Sequence, residues 1–444
     1  MKKNLTCLGI LVVLLGILFA GSTSTVQAQV PDTVVVEPGT PGAVEQAILD
    51  NPGKVIKLRR NGVYIVQQTI SSDTGIVIYG EPTPTSDPPA TLVRSADTGG
   101  PSVIDTNNDL KLENIAILGW TLQGNGINFV MRLRNKDGGD YEFYNCYMER
   151  TTNRFTRFDA PNPRLIAKDN IFMNVGNINN WQGGFVFQFQ NAMPREAIIQ
   201  NNTIINLGSV FITNFRVELN GNFTIDHNTF VLGNREYFTP NDNYINVMIK
   251  NNIFLNPFSR GYSGVRVNAD GDTTYFGDFV DAETDDPGDT LQAFLTFDSL
   301  AVELLPELGI TENERNVAFT HNCLYREQRF LDWYEEQHYT EQPFMTERSQ
   351  AFADANPSIT IDEPMNVNPE FVKQLPDSVY ENYMEWIEFH RTAEAFKPPD
   401  AVTPDRYWYA DGSRDLPFAW PIRPVDGPDA ILDLSYSTTS PLYT

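Results

Sequence analysis

Beyond its first 20 residues the chain has no apolar run long enough to cross a bilayer, a crossing that takes about 20 apolar residues. The one sustained run, Leu8 to Ala20, is itself short of that length; Lys2 and Lys3 precede it and small residues follow to Val26-Gln27-Ala28. This is the layout of a signal peptide, so residues 1–28 are expected to be removed after Ala28. The mature chain is then expected to be soluble, without a transmembrane segment, and secreted or held at the cell surface. Cysteine is scarce, with three in the whole chain. Cys7 lies before most of the apolar run, too early for a lipid-anchored cysteine, and leaves with the peptide. Cys146 and Cys323 remain, and in an oxidising compartment a pair reads first as a disulfide. Basic residues are also few: 32 Lys and Arg stand against 57 Asp and Glu, a net charge of −25 that becomes −27 once Lys2 and Lys3 are gone. Such an excess excludes nucleic acid and argues against unassisted binding of polyanions. A bridging cation would reverse the second inference.

Removal of 28 residues from 444 leaves 416, long for one globular core but natural for a solenoid that grows lengthwise. A short pattern centred on asparagine recurs, as in Lys168-Asp169-Asn170-Ile171 and Asp226-His227-Asn228-Thr229. Its asparagines are Asn114, Asn145, Asn170, Asn202, Asn228, Asn252 and Asn322, spaced 31, 25, 32, 26, 24 and 70 residues apart. The first five intervals fit one turn of a solenoid each. Two positions after each Asn stand Ala116, Tyr147, Phe172, Ile204, Phe230, Phe254 and Leu324; three before it the later turns carry Ile199, Ile225, Ile249 and Phe319. Both rows are expected to line the core. Strands this short, β-branched or aromatic and bounded by Asn and Gly, pair in parallel about 4.8 Å apart, so equivalent asparagines stack as a structural ladder. Leucine-rich repeats are excluded by the uneven intervals and the missing L-x-x-L-x-L frame.

The same alignment decides the cysteines. Cys146 and Cys323 each follow a repeat Asn, so they share a register at least five coil steps apart. That is roughly 24 Å along the axis, beyond the ~7 Å a disulfide tolerates. Both are expected to be free thiols in or near the packed wall.

Ahead of the repeats, Pro41 to Leu49 reads as a short amphipathic helix, Val55-Ile56-Lys57-Leu58 and Val63-Tyr64-Ile65-Val66 as strands, and Ile76-Val77-Ile78-Tyr79-Gly80-Glu81 as a strand ending in a turn. With these elements, residues 34–326 resemble the pectin-lyase-like superfamily, whose members often begin with a capping helix and strands of this kind. The resemblance implies an all-β, single-stranded right-handed parallel β-helix with an N-terminal capping helix. We take it to span residues 29–326, with an acidic insertion at about 268–314 and a partly helical C-terminal appendage at 327–444. Within the insertion Asp281, Glu283, Asp285, Asp286 and Asp289 could ligate calcium through hard carboxylate oxygens. The alternative is a solvated acidic loop, since Asn268, Asp270 and Asp272 are followed by Thr273 where the helix-loop-helix calcium pattern requires Gly. In the appendage Trp333, Trp386, Trp408 and Trp420 read as packing residues rather than a sugar platform.

Three enzyme types of this superfamily offer templates. Ile225-Asp226-His227-Asn228-Thr229-Phe230 resembles one strand of the pectate lyases, but their arginine-bearing R-x-P-x-x-R segment is missing. The coil Glu218-Leu219-Asn220-Gly221-Asn222 resembles the lysine coil of the chondroitinase- and alginate-lyase-like proteins, without the lysine or a matching arginine one coil later. The G-H-G and R-I-K signatures of polygalacturonase-like hydrolases are also missing. What stacking does supply is a polar ladder: Lys168, Gln200, Asp226 and Lys250 two positions before the Asn, and Asp169, Asn201, His227 and Asn251 one before. Lys168, Asp169, Asp226, His227 and Lys250 are therefore the candidate substrate-binding residues, either in a groove able to hold a glycan or move a proton or on a solvated stripe of surface ion pairs. The sequence thus reads as an extracellular β-helix that contacts polysaccharide without efficient catalysis. A lyase or hydrolase with an unidentified base, and a structural or adhesive surface protein, stand as alternatives.

Overall fold

Strand alternation decides which residues face inward. Leu110-Lys111-Leu112-Glu113 and Asp140-Tyr141-Glu142-Phe143-Tyr144 bury Leu110, Leu112, Tyr141 and Phe143 and turn the charged residues out, as a period of two requires. The computed structural model describes residues 32–82, 89–95, 102–122, 126–151, 153–176, 183–190, 193–214, 222–234, 237–238, 245–259, 263–267, 273–276, 294–295, 310–337, 339, 341–345, 347–373 and scattered positions from 377 to 442. Two compact units divide the chain, and the second, Val34–Thr444, carries everything below.

Three sheets build it. Sheet A has 11 strands, from Thr33–Val36 to Ile359–Ile361; sheet B has nine, from Val63–Val66 to Cys323–Tyr325; sheet C has five, from Ile104–Thr106 to Ile212–Asn214. The central coils give one strand to each sheet in turn. Asp140–Tyr144 lies in sheet A, Tyr147–Thr151 in B and Arg154–Phe158 in C, and the chain then returns to A as Arg164–Lys168, parallel to the coil before. Parallel crossovers of this kind are right-handed. The molecule is a right-handed parallel β-helix, as the sequence implied. In the helix Ala43–Asp50, Val44 and Ile48 join the buried core.

Inside, phenylalanines stack along the axis, Phe158 on Phe189 at 4.5 Å between ring centroids and Phe230 on Phe254 at 4.8 Å, while Phe211 meets Phe230 edge-on at 4.9 Å. Where sheet A turns into sheet B, each coil places one residue in the left-handed region: Asn114, Asn145, Asp169, Asn201, His227, Asn251 and His321, with φ between 49° and 60°. Asn, Asp and His are the non-glycine residues that tolerate this conformation best. The next residue forms the buried ladder. Asn170 Oδ1 accepts from the Cys146 N–H at 2.9 Å, Asn202 Oδ1 from the Asn170 N–H at 3.0 Å, and the series continues through Asn228 and Asn252 to Asn322.

This corrects the sequence alignment in the early coils. Asn114 and Asn145 belong to the left-handed row, and Cys146 occupies the ladder position. The core row is accordingly Ile117, Met148, Phe172, Ile204, Phe230, Phe254 and Leu324, while Ala116 and Tyr147 lie on the outer side of sheet B. Cys323 pairs with Ile253, one register position beyond Cys146's row. A one-residue slip is easy to make where Cys replaces Asn, because the turn residue before it is itself an Asn. Both cysteines are free and buried, as expected, and five coil steps still separate them.

At the corner between sheets B and C a second left-handed row, Arg150, Asn174, Asn206, Leu232 and Asn256, repeats the device, with Asn206 Nδ2 donating to Asn174 Oδ1 at 2.9 Å. The outer face of sheet B is largely apolar, with Glu149 buried in its row and bonded by the Tyr147 hydroxyl. Phe330, Trp333, Tyr334, Tyr380, Tyr383 and Ile387 share a buried cluster with its Val231, Ile253, Leu255 and Cys323. Trp333 is thus a packing residue; Trp386, Trp408 and Trp420 lie outside the described residues.

Candidate functional site

Sheet A carries the polar ladder in the expected register: Lys168 pairs with Gln200, Gln200 with Asp226, and Asp226 with Lys250. Asp226, His227 and Lys250 come together. The Asp226 carboxylate accepts from His227 Nδ1 at 2.6 Å and Asn251 Nδ2 at 2.9 Å, and faces Lys250 Nζ at 3.8 Å. Asp169 instead takes a hydrogen bond from Asn201, and Lys168 stands two coils from Asp226. Asp226 is therefore saturated by its own neighbours, and the ring it holds is largely in solvent, His227 being 58% exposed. Asp281, Glu283, Asp285, Asp286 and Asp289, the calcium candidates, lie outside the described residues. Among the described residues no three His, Cys, Asp or Glu cluster as a metal site.

Sheet C holds a different chemistry. Its exterior aligns Asp105, Arg132, Arg157, Gln188 and Thr213 in one row, and Phe129, Arg154 and Phe185 in another. Asp159 bridges Arg132 at 2.7 Å and Arg157 at 2.8 Å, while Asp105 pairs with Arg134. Four arginines on two adjacent coils thus share two carboxylates. The one left over is Arg154: its guanidinium sits 5.4 Å from the ring centroids of both Phe129 and Phe185 and has no ion-pair partner among the described residues. Burial first, and the Arg157 charge second, lower its pKa to about 10. Beside it Gln188 is fully buried, and neither atom of its side-chain amide has a hydrogen-bond partner among the described residues. A desolvated cation and an unmet amide each cost free energy unless something binds them.

Sequence reasoning missed this face. Net charge is a sum over the chain and hides a local excess of two positive charges, four arginines against two aspartates. The signal available was the recurrence of Phe and Arg between the asparagine segments, in Phe129-Val130-Met131-Arg132, Arg154-Phe155-Thr156-Arg157-Phe158 and Phe185-Val186-Phe187-Gln188-Phe189.

No protein-family model and no curated protein matches the chain. Among solved structures 12 chains match. A mutant of the PL6 family alginate lyase AlyGC is 14% identical with a TM-score of 0.36, over 51% of this chain and 36% of that one. An alginate lyase from Paenibacillus is 11% identical with a TM-score of 0.36, over 66% of this chain and 77% of that one. The catalytic domain of a GH87 alpha-1,3-glucanase in complex with tetrasaccharides is 11% identical with a TM-score of 0.28, over 75% and 68%. This chain spans about a third of the length of the first. Likeness at this level carries no argument about activity, and the fold rests on the strand pairing itself: three parallel sheets, stacked coil on coil, define a parallel β-helix.

Proposed function

We propose that this is a secreted or cell-surface protein that holds an anionic polysaccharide along the exterior of sheet C without efficient catalysis. The observation that supports it is Arg154, clamped between two phenylalanine rings, partly desolvated and without an ion-pair partner among the described residues. A planar guanidinium fixed in this way presents its donors as a fork suited to a carboxylate or sulfate. The row of side chains repeats at each coil, about 4.8 Å apart, which suits a chain-like ligand rather than a single small anion. The net charge of −25 argues against polyanions only where it is spread evenly, and here the positive charge is local.

The test is binding of polygalacturonate and of neutral dextran by the mature protein, compared with Arg154→Gln and Arg154→Lys. Polygalacturonate is expected to bind in a salt-dependent manner and dextran to bind weakly, with Arg154→Gln about tenfold weaker and Arg154→Lys in between, a loss of about 1.4 kcal/mol. Equal binding of both polymers, or indifference to Arg154→Gln, would remove the reading.

A further inference from the structure

The far end of the solenoid combines an open strand edge with an acidic groove. Ile359–Ile361 is the terminal strand of sheet A; it pairs in parallel with Asn316–Thr320 on one side and, among the described residues, with nothing on the other. The Asp362 N–H donates to the Phe319 carbonyl across the paired side at 2.9 Å. Because a parallel strand alternates its hydrogen bonds between neighbours, Ile361 turns its own N–H and carbonyl to the open side. Sheet edges of this kind are templates for another strand.

Against that edge lies a groove of about 710 Å³, lined by Phe344, Met345, Ile361 and Ala351, with Glu347, Asp354 and Glu363 around it. Phe344 anchors the floor through its contact with Phe319, 5.2 Å between ring centroids. Glu347, Gln350, Ala351 and Asp354 fall on one face of the helix Glu347–Ala355, at the spacing that brings residues three and four apart together. None of the three carboxylates forms an ion pair among the described residues. The aspartate receives only the Gln350 side-chain amide, at 2.8 Å.

We infer that this end of the β-helix docks an extended basic segment of a partner protein, added as one further strand beside Ile359–Ile361. Strand addition supplies main-chain hydrogen bonds, and pockets for alternate side chains supply the choice of partner. A strand shows its side chains to two faces in turn, so the segment that fits alternates apolar residues, for Phe344, Met345 and Ile361, with lysine or arginine for Glu347, Asp354 and Glu363. Charge complementarity excludes an acidic partner.

The probe is a fluorescent, end-blocked eight-residue peptide of alternating lysine and valine, titrated by anisotropy into the mature protein at about 0.15 M salt, where long-range attraction is screened. Three comparisons decide the matter. The E347Q/D354N/E363Q variant is expected to bind at least about tenfold more weakly, E335Q/E336Q, on another helix, to bind as the parent does, and a peptide N-methylated at alternate valines to lose a similar factor. Unchanged binding by the groove variant would show attraction to net charge alone, and full binding of the N-methylated peptide would show that no strand is added; either overturns the proposal. So does a concentration-dependent dimer that excludes the peptide, because a second copy would then occupy the edge.

Discussion

The Asn228 side chain closes five hydrogen bonds at once. It accepts from the backbone N–H and side-chain amide of Asn202, both at 2.9 Å, and donates to the carbonyls of Ile199 and Asp226 at 3.0 and 3.1 Å and to Asn252 Oδ1 at 3.0 Å. Each buried group left unmet costs about 1–3 kcal/mol, so Asn228→Ala is expected to destabilise by about 3 kcal/mol or more, read from the denaturant midpoint. Cys146 is the instructive contrast. Its thiol donates to the Tyr144 carbonyl two residues back at 3.3 Å, the bond that the Asn228 amide makes to the Asp226 carbonyl, and its backbone N–H joins the ladder through Asn170 Oδ1. Cys146→Asn should therefore melt at or above the parent temperature, and a loss as large as that of Asn228→Ala would refute the corrected register. The thiols themselves make a second prediction. Burial pushes the Cys146 thiol up to about 12 and the Cys323 thiol up to about 11. Both stay protonated near neutrality, and the stability tied to their neutral form is present below the ordinary thiol range and lost only as pH rises through those values. The native mature chain should show no thiol to a disulfide reagent at pH 8, and two after denaturation without reductant. A mass map with a Cys146–Cys323 bond would contradict the coil count.

At the scale of single elements, Glu81 links the first coils on their outer side. Arg59, the Arg60 N–H and Lys57 all converge on its carboxylate, and the Arg59 hydrogen bond chiefly holds its pKa at about 2. A carboxyl lowered on folding stabilises above its ordinary value and loses that contribution as pH falls toward the folded value. Acid unfolding of the parent should thus draw on Glu81 between about pH 4.5 and 2. In Glu81→Gln that part of the acid transition should vanish, followed by hydrogen exchange of Val55–Leu58. Equal exchange in both proteins across this range would assign the acid sensitivity elsewhere. The strand Ile76–Gly80 just before Glu81 was legible from its alternation, and so were Val55–Leu58 and Val63–Val66, because the period of two survives wherever one face is buried. Gly80 also follows from packing: a Cβ there would stand 2.1 Å from the Asn114 carbonyl oxygen. Sheet C was not legible in this way. Its strands Phe185–Phe189 and Ile212–Asn214 start well beyond the turns at Asn174 and Asn206, and Phe187 and Phe189 face inward around the outward Gln188 without marking where the strand starts.

Across the whole molecule, the repeat made the solenoid readable, whereas the site arose from residues that no repeat links. The ladder residues Lys168, Gln200, Asp226 and Lys250 stack as their spacing implied, yet stacking alone gives a line of side chains. Function depends on which of them are left unpartnered. On sheet A the Asp226 carboxylate is taken up by His227, Asn251 and Lys250; on sheet C Arg154 is left over among the described residues. That same accounting bears on catalysis. A lyase needs a base free to take a proton from the sugar, and a guanidinium with a pKa of about 10 is neutral in only about one molecule in a thousand at pH 7. Asp105 and Asp159 are each locked to arginine, and Asp226 to His227, Asn251 and Lys250. Incubation with polygalacturonate, alginate or dermatan sulfate, with calcium present, is therefore expected to give no rise in unsaturated-sugar absorbance even where the polymer binds. A robust rise that disappears in Arg154→Gln would make sheet C an active site with Arg154 as its working group. A rise that disappears instead in His227→Ala or Lys250→Ala would move the chemistry to sheet A and show that Asp226 is not as saturated as its hydrogen bonds indicate.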